Sequence, residues 1–126
     1  MSVMVTVLVN GDPRALESHT HDNQESMQGI VETAKSYGVI AHRFYGTEDG
    51  QVMVLDEWPD AESFQRFLAA TQDRIEPMMH AVGAAGEPEI RFWRELDTHD
   101  AVGWGASRAT TPSLDLPAAV TASGRA

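Results

Sequence analysis

The chain has 126 residues, with nine Lys and Arg against nineteen Asp and Glu, a formal net charge of -10 and 42% hydrophobic residues. That length suits one domain with one core, and the acidic balance repels phosphate backbones and anionic lipid surfaces, so nucleic acid is not expected as a partner. With no cysteine in the chain, disulfides, thiolate nucleophiles, iron-sulfur clusters and cysteine zinc sites are excluded together, and acid-base work falls to the carboxylates and five histidines. No window approaches the run of about 20 apolar residues that crosses a bilayer, and residues 1–12 carry no basic leader, so a cytoplasmic protein with no membrane partner is expected.

Val3, Val5, Val7 and Val9 alternate with Met4, Thr6, Leu8 and Asn10, a β-branched run that is partly apolar on both sides and ends at Gly11-Asp12-Pro13. It reads as a central strand. From Pro13 the period changes: Leu16, Asn23, Met27, Ile30, Val31 and Ala34 recur at three- and four-residue spacing, predicting one helix capped by Asp12 and stopped by Gly38. Residues 39–45 and 51–58 form two strand-like runs around an Asp49-Gly50 turn and should be antiparallel neighbours. Pro59-Asp60 breaks the second run, and Phe64, Phe67, Leu68, Thr71, Ile75, Met78, Met79 and Val82 trace another amphipathic helix, which Pro77 should kink. Residues 89–96 alternate again as a fourth strand.

Residues 1–97 thus read as one α+β domain in the order βαββαβ, a ferredoxin-like arrangement with both helices on one face of a four-stranded antiparallel sheet. Residues 98–126 are Ala-, Thr-, Ser- and Pro-rich without periodicity and read as an extended or flexible extension, with Trp104 placed to anchor on a neighbour. The two-sided apolar strands leave one sheet face in need of cover, and a second copy of the chain would supply it.

A hairpin turn centred on Glu48 and Asp49 sets Phe44 opposite Met53, His42 opposite Leu55 and Ile40 opposite Glu57. His42 and Glu57 then share a face, with Arg43, Tyr45, Asp56 and Trp58 on the reverse. At 100° per residue His19 and Asn23 fall in the apolar stripe of the first helix, whereas His21 and His80 fall outside theirs. The expected site therefore has His42 and Glu57 as catalytic groups, inside a lining of His19, Asn23, Met27, Phe44, Met53, Phe67, Ile75, Met78 and Met79. A mostly apolar pocket with a few convergent polar groups suits a small hydrophobic molecule. Each residue also has a plainer reading: His42 as a satisfied core histidine, Glu57 as a solvated strand end, His19 and Asn23 as a frayed first turn, and the Met and Phe stripe as ordinary core. No metal is expected, although His19, His42 and Glu57 have the ligand types of a two-histidine, one-carboxylate site. No phosphate loop or nucleophile elbow is present.

The strand order, together with Ala41-His42-Arg43-Phe44-Tyr45, Val54-Leu55-Asp56-Glu57-Trp58 and the helical run Ser63-Phe64-Gln65-Arg66-Phe67-Leu68, resembles the dimeric α+β barrel superfamily, and within it the antibiotic biosynthesis monooxygenase-like proteins. The resemblance spans residues 3–96. It implies a homodimer whose two sheets form a barrel, each protomer holding a pocket between its helices and its own sheet. It also implies a cofactor-independent enzyme that acts on an aromatic or polyketide-like molecule by proton abstraction leading to oxygenation, cyclisation or isomerisation. His42 would be the general base or acid, Glu57 would orient it, and His19 and Asn23 would bind a developing enolate or phenolate. The alternatives are a non-catalytic small-molecule-binding dimer and a haem-binding or haem-degrading member. The haem pattern needs a histidine on the second helix and an asparagine in the first strand, where this chain offers only the outward His80 and the terminal Asn10.

Overall fold

A computed structural model describes residues 2–103 and 117–121. Its elements in chain order are β1 (Val3–Asn10), α1 (Pro13–Asp22), α2 (Gln24–Ser36), β2 (Ala41–Gly46), β3 (Gln51–Trp58), α3 (Ala61–Ala81), β4 (Ala85–Trp93) and β5 (Val120–Thr121). The strands form one antiparallel sheet in the order β2-β3-β1-β4-β5. The first four reproduce the ferredoxin-like arrangement that the hydrophobic periods predict. The short fifth strand, from the extension, adds an edge beside β4 that the aperiodic composition did not signal. The expected anchoring by Trp104 lies outside the described residues. Among the described residues no helix is long and apolar enough to cross a membrane.

The predicted single helix from Pro13 to Gly38 is two helices. Asn23 adopts φ -130° and ψ 42°, outside helical geometry, and its Nδ2 donates to the His19 carbonyl at 2.8 Å. Asparagine side chains compete for backbone groups in this way and favour helix ends over helix interiors. The outer limits fall as expected. The Asp12 carboxylate accepts from the Arg14 N–H at 2.9 Å, and Gly38 takes φ 98° just past the end of α2. α3 starts on a second acidic cap: Asp60 accepts from the Ser63 N–H at 2.7 Å, and this hydrogen bond holds its carboxyl below the usual range. The helix continues through Pro77 to Ala81.

One face of the sheet carries Val3, Val5, Val7 and Val9 of β1, Val52, Val54, Asp56 and Trp58 of β3, and Ile90 and Phe92 of β4, all buried under the helices. Phe64, Phe67, Ile30 and Ala34 meet them from above. Trp58 sits at the centre of this core, 0% exposed, with ring centroids 5.8 Å from Phe64 and 5.3 Å from Phe67. The reverse face presents Met4, Leu8, Met53, Leu55, Tyr45 and Trp93, of which Leu8, Tyr45 and Trp93 are exposed. The Trp93 indole is tied to that face by a hydrogen bond from Nε1 to Thr6 Oγ1 at 2.8 Å. Exposed apolar side chains at this density are unusual on a free surface.

The β2-β3 pairing differs from the predicted register by one residue. His42 stands opposite Asp56, Phe44 opposite Val54, and Ala41 opposite Glu57. The Thr47 N–H bonds the Gln51 carbonyl at 2.9 Å, so Glu48, Asp49 and Gly50 make a three-residue loop in place of a symmetric two-residue turn. Gly50 takes φ 91°, the left-handed conformation that such loops need and that glycine adopts without penalty. Because side chains alternate with period two, this one-residue change exchanges the two faces of β3 relative to β2.

Candidate functional site

A cavity of about 320 Å³ lies between the helices and the sheet. Val7, Val54 and Ile90 form its floor, Met27, Ile30, Val31 and Ala34 of α2 one wall, and Phe64, Phe67, Leu68, Ile75, Met78 and Met79 of α3 the other. Phe44 and His42 close it on the β2 side. Its lining is mostly apolar, with a few polar groups.

The polar centre of this pocket is a chain of three side chains. His42 Nδ1 lies 2.6 Å from Asp56 Oδ1, and Trp58 Nε1 donates to Asp56 Oδ2 at 3.1 Å. The β-strand places Asp56 and Trp58 two residues apart on one face, and the hairpin register sets His42 directly across from Asp56. Asp56 is 3% exposed, whereas the His42 side chain is 35% exposed. A buried carboxylate needs its oxygens satisfied, and here each oxygen has one ring N–H. Whenever the imidazole is neutral, an Asp56 carboxylate at this distance favours its Nδ1–H tautomer, with the Nε2 lone pair left as the acceptor. Phe44 packs against the imidazole edge-on, with centroids 5.0 Å apart and planes at 84°, and so restricts its rotation.

Of the residues expected at the site, His42, Met27, Phe44, Phe67, Ile75, Met78 and Met79 line this cavity. Glu57 and Met53 do not. The register places both on the reverse face of the sheet, where the Glu57 carboxylate accepts from Ser2 Oγ at 2.5 Å. Asp56 therefore stands where Glu57 was expected, beside the histidine. His19 and Asn23 also lie outside the cavity, joined to each other at the break between α1 and α2. A metal set of His19, His42 and Glu57 is not assembled, since His42 and Glu57 occupy opposite sheet faces. The haem pattern is not matched either: His80 is exposed on α3, and Asn10 ends β1 in contact with Gln51, neither in the cavity.

The two-residue turn puts Asp56 and Trp58 on the reverse face, whereas Asp56 lines the cavity, as do Gln72 and Glu76 from outside the apolar stripe of α3. One signal in the sequence pointed to Asp56. On a strand whose alternate positions are Val52, Val54 and Trp58, a lone carboxylate on the same side is either misplaced or paired. Glu76 falls one residue after Ile75 in the apolar stripe, at its edge, where helical periodicity alone does not separate rim from solvent.

By sequence the chain matches no protein-family profile and no curated relative. By structure it is similar to a Deinococcus radiodurans protein assigned to the antibiotic biosynthesis monooxygenases, with TM-score 0.53 and 13% identity over 80% of this chain and 99% of that one. It is similar also to a dimeric ferredoxin-like protein from an uncultured marine organism, with TM-score 0.50 and 12% identity over 73% of this chain and 85% of that one. A third similar structure is Rv0793 from Mycobacterium tuberculosis, with TM-score 0.50 and 10% identity over 76% of this chain and 96% of that one. The chain has a ferredoxin-like fold, similar to the folds of these proteins.

Proposed function

We propose that this protein is a cofactor-independent enzyme that abstracts a proton from a small hydrophobic, aromatic or polyketide-like molecule. The observation that carries this reading is the Trp58-Asp56-His42 chain ending at an imidazole on the wall of an apolar cavity. His42 Nε2 is the base. It takes the proton of an enolisable C–H or phenolic O–H, and the bonding electron pair passes into the enolate or phenolate. Asp56 stabilises the imidazolium that forms and keeps its ring in place, while Trp58 holds Asp56 from behind. The apolar walls exclude water from the reacting carbon.

From the enolate three outcomes balance. The proton returns to another carbon, giving an isomer. The carbon attacks a carbonyl within the same molecule, giving a ring. Or dissolved dioxygen is the oxidant: a CH₂ becomes C=O, one oxygen atom enters the product, and the other leaves with both hydrogens as water. All three share the first step, so that step is the one to measure.

The same reading includes a homodimer formed through the open sheet face. Leu8, Tyr45 and Trp93 would be covered by the corresponding face of a second copy, as a two-fold interface requires. The test of function is exchange of the acidic C–H of 2-tetralone in deuterated buffer, followed by NMR. The full chain should accelerate exchange and His42→Ala should not. An equal rate with and without protein would leave a non-catalytic binding protein as the better description.

A further inference from the structure

The distribution of charge around the cavity sets which molecules can enter it. Among the described lining residues the ionisable groups are His42, Asp56 and Glu76, and none is Lys or Arg. The cations of the two helices that wall the cavity are engaged elsewhere: Lys35 with Glu32 at 3.3 Å, Arg66 with Glu62 at 2.6 Å, and Arg74 with Thr33 Oγ1 at 3.1 Å. Arg43 and Arg91 project from the reverse face of the sheet, as their pairing with Leu55 and Thr6 requires. Asp56 has both oxygens occupied, and Glu76 stands exposed on α3 at the rim.

We infer that the cavity selects ligands that arrive uncharged, so that the substrate class is a neutral, weakly acidic aromatic molecule, a phenol or enolisable ketone, rather than a carboxylate or phosphate. This deepens the proton-abstraction reading and rests on it for the word substrate. An arriving anion adds a charge to a low-dielectric space that already holds one buried carboxylate, passes a second at the rim, and finds no fixed cation among the described lining residues. A neutral molecule avoids this. When it gives its proton to His42 the new negative and positive charges appear together, so the net charge of the cavity does not change. Glu76 thereby acts as a specificity residue without touching the reacting atoms.

The test uses the full chain and equilibrium binding, with no turnover required. Titration calorimetry at neutral pH compares 2-naphthol with 2-naphthoate, which have the same ring system and differ in charge. The neutral compound should bind more tightly by about tenfold or more. Glu76→Gln, at an exposed position, should narrow that ratio by about threefold, the range of a screened surface charge. A ratio below tenfold, a preference for the anion, or binding of neither compound overturns the inference. An unchanged ratio in Glu76→Gln overturns the role of Glu76. Failure of the exchange assay with the binding preference intact would instead remove the catalytic reading and leave a receptor for neutral aromatic molecules.

Discussion

Asp56→Asn separates the chemistry of the site from its packing, because the side chain keeps its size and loses one acceptor. The carboxylate accepts from two donors, Trp58 Nε1 at 3.1 Å and His42 Nδ1 at 2.6 Å. An amide has one oxygen for the two of them. If that oxygen faces Trp58, the amide N–H₂ faces His42 and forces the imidazole into the Nε2–H tautomer, which has no base in the cavity. If it faces His42, the Trp58 N–H is left opposite another donor, in a residue that is 0% exposed. The second arrangement costs about 1–3 kcal/mol for an unsatisfied buried donor, and the first costs less, so the first should prevail. Loss of stability should then stay near about 1 kcal/mol, roughly 4 °C in the thermal midpoint of a chain this size. Proton-transfer activity should fall by about 10²–10⁴, the range associated with a positioned acid-base group. Urea unfolding gives the first quantity and deuterium exchange into 2-tetralone the second. In Asp56→Asn/Trp58→Phe the competing donor is gone, the oxygen is free to face His42, and part of the activity should return. Strictly additive activity losses in the double variant would refute the three-residue chain.

Three further outcomes follow from the same geometry. His42→Ala removes a side chain that is 35% exposed but leaves the buried Asp56 Oδ1 without its donor, so unfolding stability should fall by about 1–3 kcal/mol while exchange activity disappears; a larger drop by chemical denaturation would return His42 to the role of a core residue. Leu8→Lys puts two charges into the proposed two-fold sheet interface, and sedimentation should show dimer dissociation strengthened by about 100-fold or more; an unchanged dimer places the interface elsewhere. Asp60→Ala should cost about 1 kcal/mol as the loss of a helix cap. Since the folded carboxyl is held below its ordinary value of 3.8, its contribution is full above that pH and is lost as pH falls through the lower folded value. The difference between Asp60→Ala and the parent should therefore shrink in acid, and a difference constant down to acid unfolding would mean that charge plays no part.

The fold was legible because hydrophobic period is a local property. Alternation in residues 3–9 and the stripe from Phe64 to Val82 are both carried by a few neighbouring side chains, and each element formed as read. The apolar wall of the cavity follows from the same stripes, which is why Met27, Phe67, Ile75, Met78 and Met79 are among its lining residues. The polar centre was not legible in the same way. It depends on register across a hairpin, and Asp49-Gly50 is compatible with two loop lengths that differ by one residue. The choice was settled by Thr47, whose N–H and Oγ1 both engage Gln51 and extend the ladder one pair toward the tip. That pair exchanged Glu57 for Asp56 beside His42. The assignment of His19 and Asn23 failed for a different reason, since a helical count presumes an unbroken helix and Asn23 itself breaks it. The role of β5 depends on a pairing distant in sequence, between Ile90 and Val120, with no periodic signal to announce it.

In the proposed mechanism Asp56 holds the Nδ1–H of His42, and Nε2 accepts the proton of a ligand in the apolar cavity. ¹⁵N NMR of the histidine-labelled protein at neutral pH, with His42→Ala used to assign the signal, measures this directly. The account predicts an Nδ1–H tautomer for His42 and a change at Nε2 when 2-naphthol is added. An Nε2–H tautomer, or a His42 signal indifferent to the ligand, would contradict it.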